Sequence, residues 1–266
     1  MFKLVLLILF LLWILKKKSS FSSSETVALV TLIYKPKDIE KWLELHRTFG
    51  ISHFYIRLED TPELVEFFQK QPDVTLIIAS SEGEKNQFTS LQKRQIDTVN
   101  KVIKMCKQTF LIHIDCDEVL SGNIQTILSL PESIGTFWMQ NHEAMYDHVP
   151  TETDTCFQAK KFIDCSKERC SSYINGKSGC RVSAPGVTMA GPHRFKSNLK
   201  DEYMEDVIVQ HYESCDFQQY IKKYQRLAKN GTDLKKIPFQ YYRESIEANG
   251  DTTKLEEIYK KYRVAS

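Results

Sequence analysis

The chain lacks the glycine-rich signatures by which many proteins hold phosphate through their backbone. Neither GxGxxG nor GxxxxGKS/T occurs in its 266 residues, which excludes a dinucleotide-binding fingerprint and a P-loop. No internal repeat is visible. The seven cysteines, Cys106, Cys116, Cys156, Cys165, Cys170, Cys180 and Cys215, include no CxxC pair. The four between 156 and 180 are separated by eight, four and nine residues, spacings that argue against zinc. There is also no basic field. Lys and Arg number 36 against 34 Asp and Glu, and Lys3 and Lys16 to Lys18 flank an N-terminal apolar run, leaving 32 against 34 for the body. Nucleic acid is therefore not an expected partner. What remains is ordinary globular composition, 42% hydrophobic and 26% charged, enough for one sizeable core.

The N-terminus stands apart. Leu4 to Leu15 is twelve unbroken apolar residues bounded by lysines. As a helix it spans ~18 Å, short of a ~30 Å hydrocarbon core. Three lysines occupy the place where a cleaved signal has small residues. The expectation is an uncleaved membrane anchor over 1–18, with a Ser-rich stalk at 19–25. A Golgi or ER type II arrangement would put the body in a lumen, whereas the lysines after the run favour a cytosolic body. In a lumen the clustered cysteines would form one or two disulfides pinning an irregular loop, and Asn230-Gly231-Thr232 would be a usable glycosylation sequon.

From residue 26 the pattern alternates. Apolar, β-branched runs at 26–33, 53–58, 74–79 and 110–114 read as strands. Between them lie helical patterns, the first carrying Ile39, Trp42, Leu43, His46 and Phe49 on one face between a capping Asp38 and Gly50. Another runs from about Phe88 to Lys107. This β-α-β-α-β-α-β order predicts a mostly parallel sheet with helices on both faces. Ligands of such sheets bind beyond the carboxyl ends of the strands.

The fourth strand ends abruptly in Asp115-Cys116-Asp117-Glu118. Carboxylates at the end of a buried strand require something to neutralise them. Side chains at i and i+2 share a face, so Asp115 and Asp117 face one site. Hard oxygen ligands suit Mn²⁺ or Mg²⁺, which bridge phosphate groups. Beyond 122, GTFWMQ at 135–140 predicts a strand and 142–158 a polar loop. Short strands follow at 172–196, a strand at 206–210 closed by His211, a helix at 216–229 and amphipathic helices at 239–264.

In order along the chain, several segments together are more specific than the acidic motif. These are VALVTLI; Trp42-Leu43-Glu44-Leu45-His46; Phe49-Gly50-Ile51-Ser52-His53-Phe54-Tyr55-Ile56; HIDCDEVL; Gly176-Lys177-Ser178; Gly191-Pro192-His193-Arg194-Phe195; and Gln210-His211-Tyr212. With them the chain resembles the family 2-like glycosyltransferases that have a GT-A fold and a DxDE signature, over roughly residues 26–225. It departs from them after the first strand, where Tyr34 to Asp38 replace Asn-Glu, and after the second, where Arg57 to Asp60 replace an Asp-rich turn.

The resemblance implies a GT-A-like α/β fold: a mixed sheet flanked by helices, with a catalytic domain at 26–230 and a helical C-terminal extension at 231–266. It implies metal-dependent transfer of a sugar, hexosyl-type, from a nucleotide-diphosphate donor to the hydroxyl of a glycan or glycoconjugate acceptor, with inversion. Asp117 is then the direct ligand of Mn²⁺ (or Mg²⁺). Asp115 contacts ribose hydroxyls or reaches the metal through water, and His211 is the third ligand. Lys177, His193 and Arg194 are placed on the diphosphate or acceptor, with Thr31 and Asp60 completing the donor set. Inversion needs a general base, for which the loop offers Glu143, Asp147, Glu152 and Asp154. Two rival classes remain: a metal-dependent nucleotidyltransferase, and a non-catalytic, membrane-tethered carbohydrate-binding protein.

Overall fold

A computed structural model describes residues 25–81, 87–167, 170–171, 173–229, 234–237 and 239–265. The expected anchor at 1–18, nearly all of the stalk and the sequon at 230–232 lie outside these residues. Among the described residues no helix is long and apolar enough to cross a membrane. This corrects the expectation of a single-pass anchor, and twelve helical residues at 1.5 Å each are in any case too short to span a bilayer unaided.

The apolar runs become β1 (Val27–Ile33), β2 (His53–Glu59), β3 (Val74–Ala79) and β4 (Phe110–His113). All seven β1 residues are buried, as strands covered on both faces require. Helix α1 (Ile39–Phe49) buries Ile39, Trp42, Leu43 and His46, and it ends at Gly50 with φ 113°, a conformation that glycine adopts without strain. A short α2 (Val65–Gln69) and a long α3 (Gln87–Ile103) complete the alternation. β1 pairs in parallel with both β2 and β4, and β2 with β3. The order β3-β2-β1-β4 reverses direction at β1, which makes the carboxyl ends of β1 and β4 the crevice of the sheet.

The second half makes the sheet mixed. The chain continues through β5 (Glu118–Gly122), α4 (Ile124–Leu128), β6 (Ile134–Met139), β7 (Asn141–Met145), β8 (Lys161–Asp164), β9 (Lys177–Arg181), β10 (Thr188–Gly191), β11 (Arg194–Lys196), β12 (Lys200–Tyr203) and β13 (Val207–His211). β9 inserts antiparallel between β4 and β6, giving the order β12-β6-β9-β4-β1-β2-β3. A second sheet, β5-β13-β7-β8, stands beside it. Gly179 allows the crowding where β9 crosses, because a Cβ there would meet the Phe137 ring at 2.3 Å.

Helices α5 (Phe217–Lys229), α6 (Gln240–Glu247) and α7 (Thr252–Arg263) pack on the same face as α1. Tyr220, Tyr241 and Tyr259 share one core with Trp42, Phe54 and Phe137. Helix α3 and the β10–β11 hairpin cover the other face, around Leu111, Cys180 and Phe195. The fold is thus the expected mixed sheet flanked by helices with a helical C-terminal part.

Three local expectations change. Asp38 is not a side-chain cap of α1; its carboxylate accepts the Cys156 backbone N–H at 2.6 Å. The polar loop begins later than expected, because residues 141–145 form β7. The cysteines pair as Cys156–Cys215 and Cys165–Cys170, leaving Cys180 buried and free in β9 and drawing in Cys215 from outside the cluster.

His46 locks α1 to the second sheet. Nδ1–H donates to the Trp42 carbonyl at 2.8 Å, and Nε2 accepts the Leu120 N–H at 3.2 Å. That fixes one neutral tautomer. Burial lowers its pKa from 6.5 to about 3, against the pull of the Trp42 carbonyl. The unfolded chain therefore binds a proton that the folded one refuses, so stability is lost as pH falls below about 6.5 toward 3. Urea unfolding is expected to weaken by up to about 1.4 kcal/mol per pH unit for this proton. His46→Gln should flatten the profile by one proton; an unchanged slope would assign the loss to other groups.

Candidate active site

The acids after β4 are held by the chain itself. Asp115 accepts Gln95 Nε2 of α3 at 2.7 Å, and its other oxygen accepts the Lys177 ammonium from the first residue of β9. Lys177 has no exposed surface and also stands 3.3 Å from Glu118 Oε2. Glu118, fully buried, accepts the Asp115 backbone N–H at 2.7 Å and the Tyr173 hydroxyl. Burial pushes the Glu118 carboxyl up to about 7, against the pull of Lys177. Burial also opposes ionisation of Asp115 and Lys177, but their mutual attraction wins. Asp115 is held below its ordinary value and Lys177 above its own.

Asp117 is different. Its side chain is 41% exposed and stands 3.7 Å, Oδ2 to Nε2, from His211 at the end of β13. His211 lies opposite Glu143 of β7 in the strand register, and its Nδ1 is 3.1 Å from Glu143 Oε1. Burial disfavours the imidazolium, yet Glu143 and Asp117 outweigh it and raise the His211 pKa well above its ordinary value. Behind Glu143 lies the guanidinium of Arg263, from the last turn of α7. It bonds Glu143 through Nη1 and Glu213 Oε2 through Nη2 at 2.8 Å. Glu213 is further held by Lys223 at 2.8 Å and the Tyr242 hydroxyl at 2.6 Å.

The other expected residues divide. His193 joins the site: its Nδ1 is 2.9 Å from the Gly176 carbonyl and its ring lies 4.8 Å from Tyr173. Burial, then Lys177, lowers its pKa to about 4. Arg194 turns away and stacks 4.5 Å over Trp138. Thr31 is buried in β1 with its hydroxyl unpartnered among the described residues. Asp60 holds the turn after β3 through Ser80 at 2.9 Å and Ser81 N–H at 3.1 Å.

Among the loop acids, Glu143 is buried between His211 and Arg263. Asp154 accepts Thr151 N–H and hydroxyl at 2.7 Å each, which with His148 lowers its pKa to about 2. Asp147 and Glu152 are exposed. The loop is fastened to the carboxyl side of β1 by Lys37, whose ammonium is 3.4 Å from the Thr151 carbonyl, and to the segment after His211 by Cys156–Cys215.

Sequence reasoning did not single out Tyr173, Gln95, Glu213 or Arg263 for the site. For Arg263 a signal existed: Leu255, Tyr259 and Arg263 recur at i, i+4 and i+8, one stripe of α7, and all three are buried.

A divalent cation fits at Asp117 and His211. A carboxylate oxygen and an imidazole nitrogen converge there, and the histidine's other nitrogen is oriented by a carboxylate, the arrangement that commonly supports metal-bound histidine. A cation would take the place of the imidazole proton. Two other clusters do not fit. Glu143, His211 and Glu213 bring ligand atoms within 4.8 Å of one another, but Arg263 bonds both carboxylates. Beside Glu143, Cys165 and Cys170 are joined in a disulfide and offer no thiolate.

No protein-family model matches the chain, and no curated protein sequence does. Solved structures give distant likenesses. HddC from Yersinia pseudotuberculosis complexed with GMP-PN aligns at TM-score 0.38 and 9% identity, over 71% of this chain and 97% of that one. S. aureus TarS aligns at 0.34 and 9%, over 84% and 43%. The glycosyltransferase GlyE of Streptococcus pneumoniae TIGR4 aligns at 0.29 and 12%, over 44% and 30%. At these TM-scores the likenesses carry no inference about activity.

Lys177→Met would leave Asp115 and Glu118 without their shared cation. Removing one partner of a buried ion pair costs ~3–5 kcal/mol. A drop of that size in unfolding free energy is expected, partly recovered in Lys177→Met/Glu118→Gln; a loss below ~1 kcal/mol would mean that solvent already screens the pair.

Proposed function

We propose that this protein is a metal-dependent glycosyltransferase that moves a sugar from a nucleotide-diphosphate sugar to an acceptor hydroxyl with inversion. The observation that carries the reading is the convergence of half-exposed Asp117 on His211 Nε2 at 3.7 Å, at the crevice of an open α/β sheet. A Mn²⁺ or Mg²⁺ ion held by these two residues would act as a Lewis acid toward the departing diphosphate. Imidazole in the ligand set favours Mn²⁺.

The chain's own residues have separate tasks in this reading. Asp115, fixed by Lys177 and Gln95, keeps an ionised carboxylate pointed at the crevice for the donor's ribose hydroxyls or a bridging water. Lys177 lends positive charge beside the diphosphate without being consumed by it, because Asp115 and Glu118 already hold it. His193 stays neutral against Tyr173 and can donate or accept a hydrogen bond at physiological pH. The base falls to the loop acids. Glu143 is committed to two cations, and Asp154 at a pKa of about 2 is a weak base, which leaves Asp147 and Glu152.

The test is hydrolysis or transfer of a panel of nucleotide-diphosphate sugars. Activity is expected with Mn²⁺, loss on chelation, and recovery on adding the metal back. Asp117→Ala and His211→Ala should each lower kcat/KM by at least ~100-fold, the scale of removing direct transition-state charge stabilisation. Activity untouched by chelation and by Asp117→Ala would falsify the reading. Pyrophosphate release from a nucleoside triphosphate would point instead to nucleotidyl transfer.

A further inference from the structure

Arg263 is a fully buried charge outside the acidic motif. Its side chain has no exposed surface and its Nε has no hydrogen-bond partner among the described residues, although burying a guanidinium is costly unless it is paired with opposite charge. Here its two terminal nitrogens go to different carboxylates, Glu143 and Glu213, and its plane lies 4.6 Å over the Tyr241 ring. These carboxylates flank one residue. Glu143 is opposite His211 across the β13–β7 register, and Glu213 is two positions beyond His211 in the chain. Backbone bonds fix the approach. Tyr146 N–H donates to the Arg263 carbonyl and Ala265 N–H to the Tyr146 carbonyl, both at 2.8 Å, so the residues after α7 pair alongside the strand that carries Glu143.

From this geometry we infer that Arg263 is a positioning residue for His211: by holding Glu143 and Glu213 it fixes the carboxylate that orients the imidazole, and so aims Nε2 at Asp117. The inference rests on the proposed metal site at Asp117 and His211. The chain of contacts runs from α7 through Arg263, Glu143 and His211 Nδ1 to Nε2 and Asp117, with no solvent-facing member before Asp117. Supporting groups behind a metal-bound histidine typically set affinity by 10–100-fold. Lysine cannot replace Arg263 here, because a single ammonium lacks the fork that reaches two carboxylates at once.

The measurement is binding of Mn²⁺ alone to the full chain, followed by the electron paramagnetic resonance of free Mn²⁺, with thermal melting as the control for folding. Arg263→Lys is expected to raise the Mn²⁺ dissociation constant ~10–100-fold, and Asp117→Ala to abolish binding. If Arg263→Lys does not fold, Arg263→Met/Glu143→Gln decides, since it removes opposite charges together; it is expected to fold and to show the same weakening. Wild-type Mn²⁺ affinity in whichever variant folds overturns the positioning role while leaving the metal site standing. Absence of Mn²⁺ binding by the unaltered chain overturns the metal site, and the positioning role with it.

Discussion

Carboxylates cannot be carried into a protein interior without compensation, and the architecture of this protein follows from how it compensates Asp115 and Glu118. The cation is Lys177, 62 residues away in sequence. To deliver it, β9 runs antiparallel between β4 and β6 and starts where β4 ends. That insertion turns a parallel half-sheet into a mixed one and leaves room at the crossing only for a glycine at 179. The strand that makes the sheet mixed is therefore the strand that makes the acidic end of β4 tolerable.

Around that point the acids are sorted by partner. Asp115, about one-third exposed, and buried Glu118 share the Lys177 ammonium, whereas Asp117, about two-fifths exposed, faces the His211 imidazole. The two groups of charge meet at Tyr173, whose hydroxyl bonds Glu118 and whose ring lies 4.9 Å from His211, and across the β13–β5 register, where His211 lies opposite Glu118. In the proposed function, the half already paired internally would need no rearrangement when the charge of a nucleotide-diphosphate donor arrives beside it.

The sequence made the first half of this legible. Four apolar runs and the intervening amphipathic patterns gave β1 to β4 and their helices. The refusal of acids to be buried unpaired marked Asp115 to Glu118 as the lip of a crevice. The partners were not legible for physical reasons. Lys177 sits in NGKSG, which reads as an exposed turn because free lysines are almost never buried. β7, with Glu143 at its centre, reads as polar loop; its acid becomes acceptable in a strand only because His211 and Arg263, 68 and 120 residues away, cover it. Local pattern reports burial, but it cannot report which distant charge makes a burial possible. Asp38 shows the same limit at short range. It occupies a capping position, yet the long-range Cys156 N–H is the donor that its carboxylate takes.

The Cys156–Cys215 bond has a practical side. It closes a 59-residue separation, which on chain-entropy grounds contributes about 4 kcal/mol, and it ties the loop of candidate bases to the segment leaving His211. Disulfides persist in oxidising surroundings and are rare in a reducing cytosol. Recombinant material made in an ordinary bacterial cytosol, or purified in a strong thiol reductant, would be a chemically different protein in which this loop is released from its tether. Assays on such a preparation would report the reduced form, so secretory or periplasmic expression with cystine content checked by mass is the condition under which a negative result has meaning.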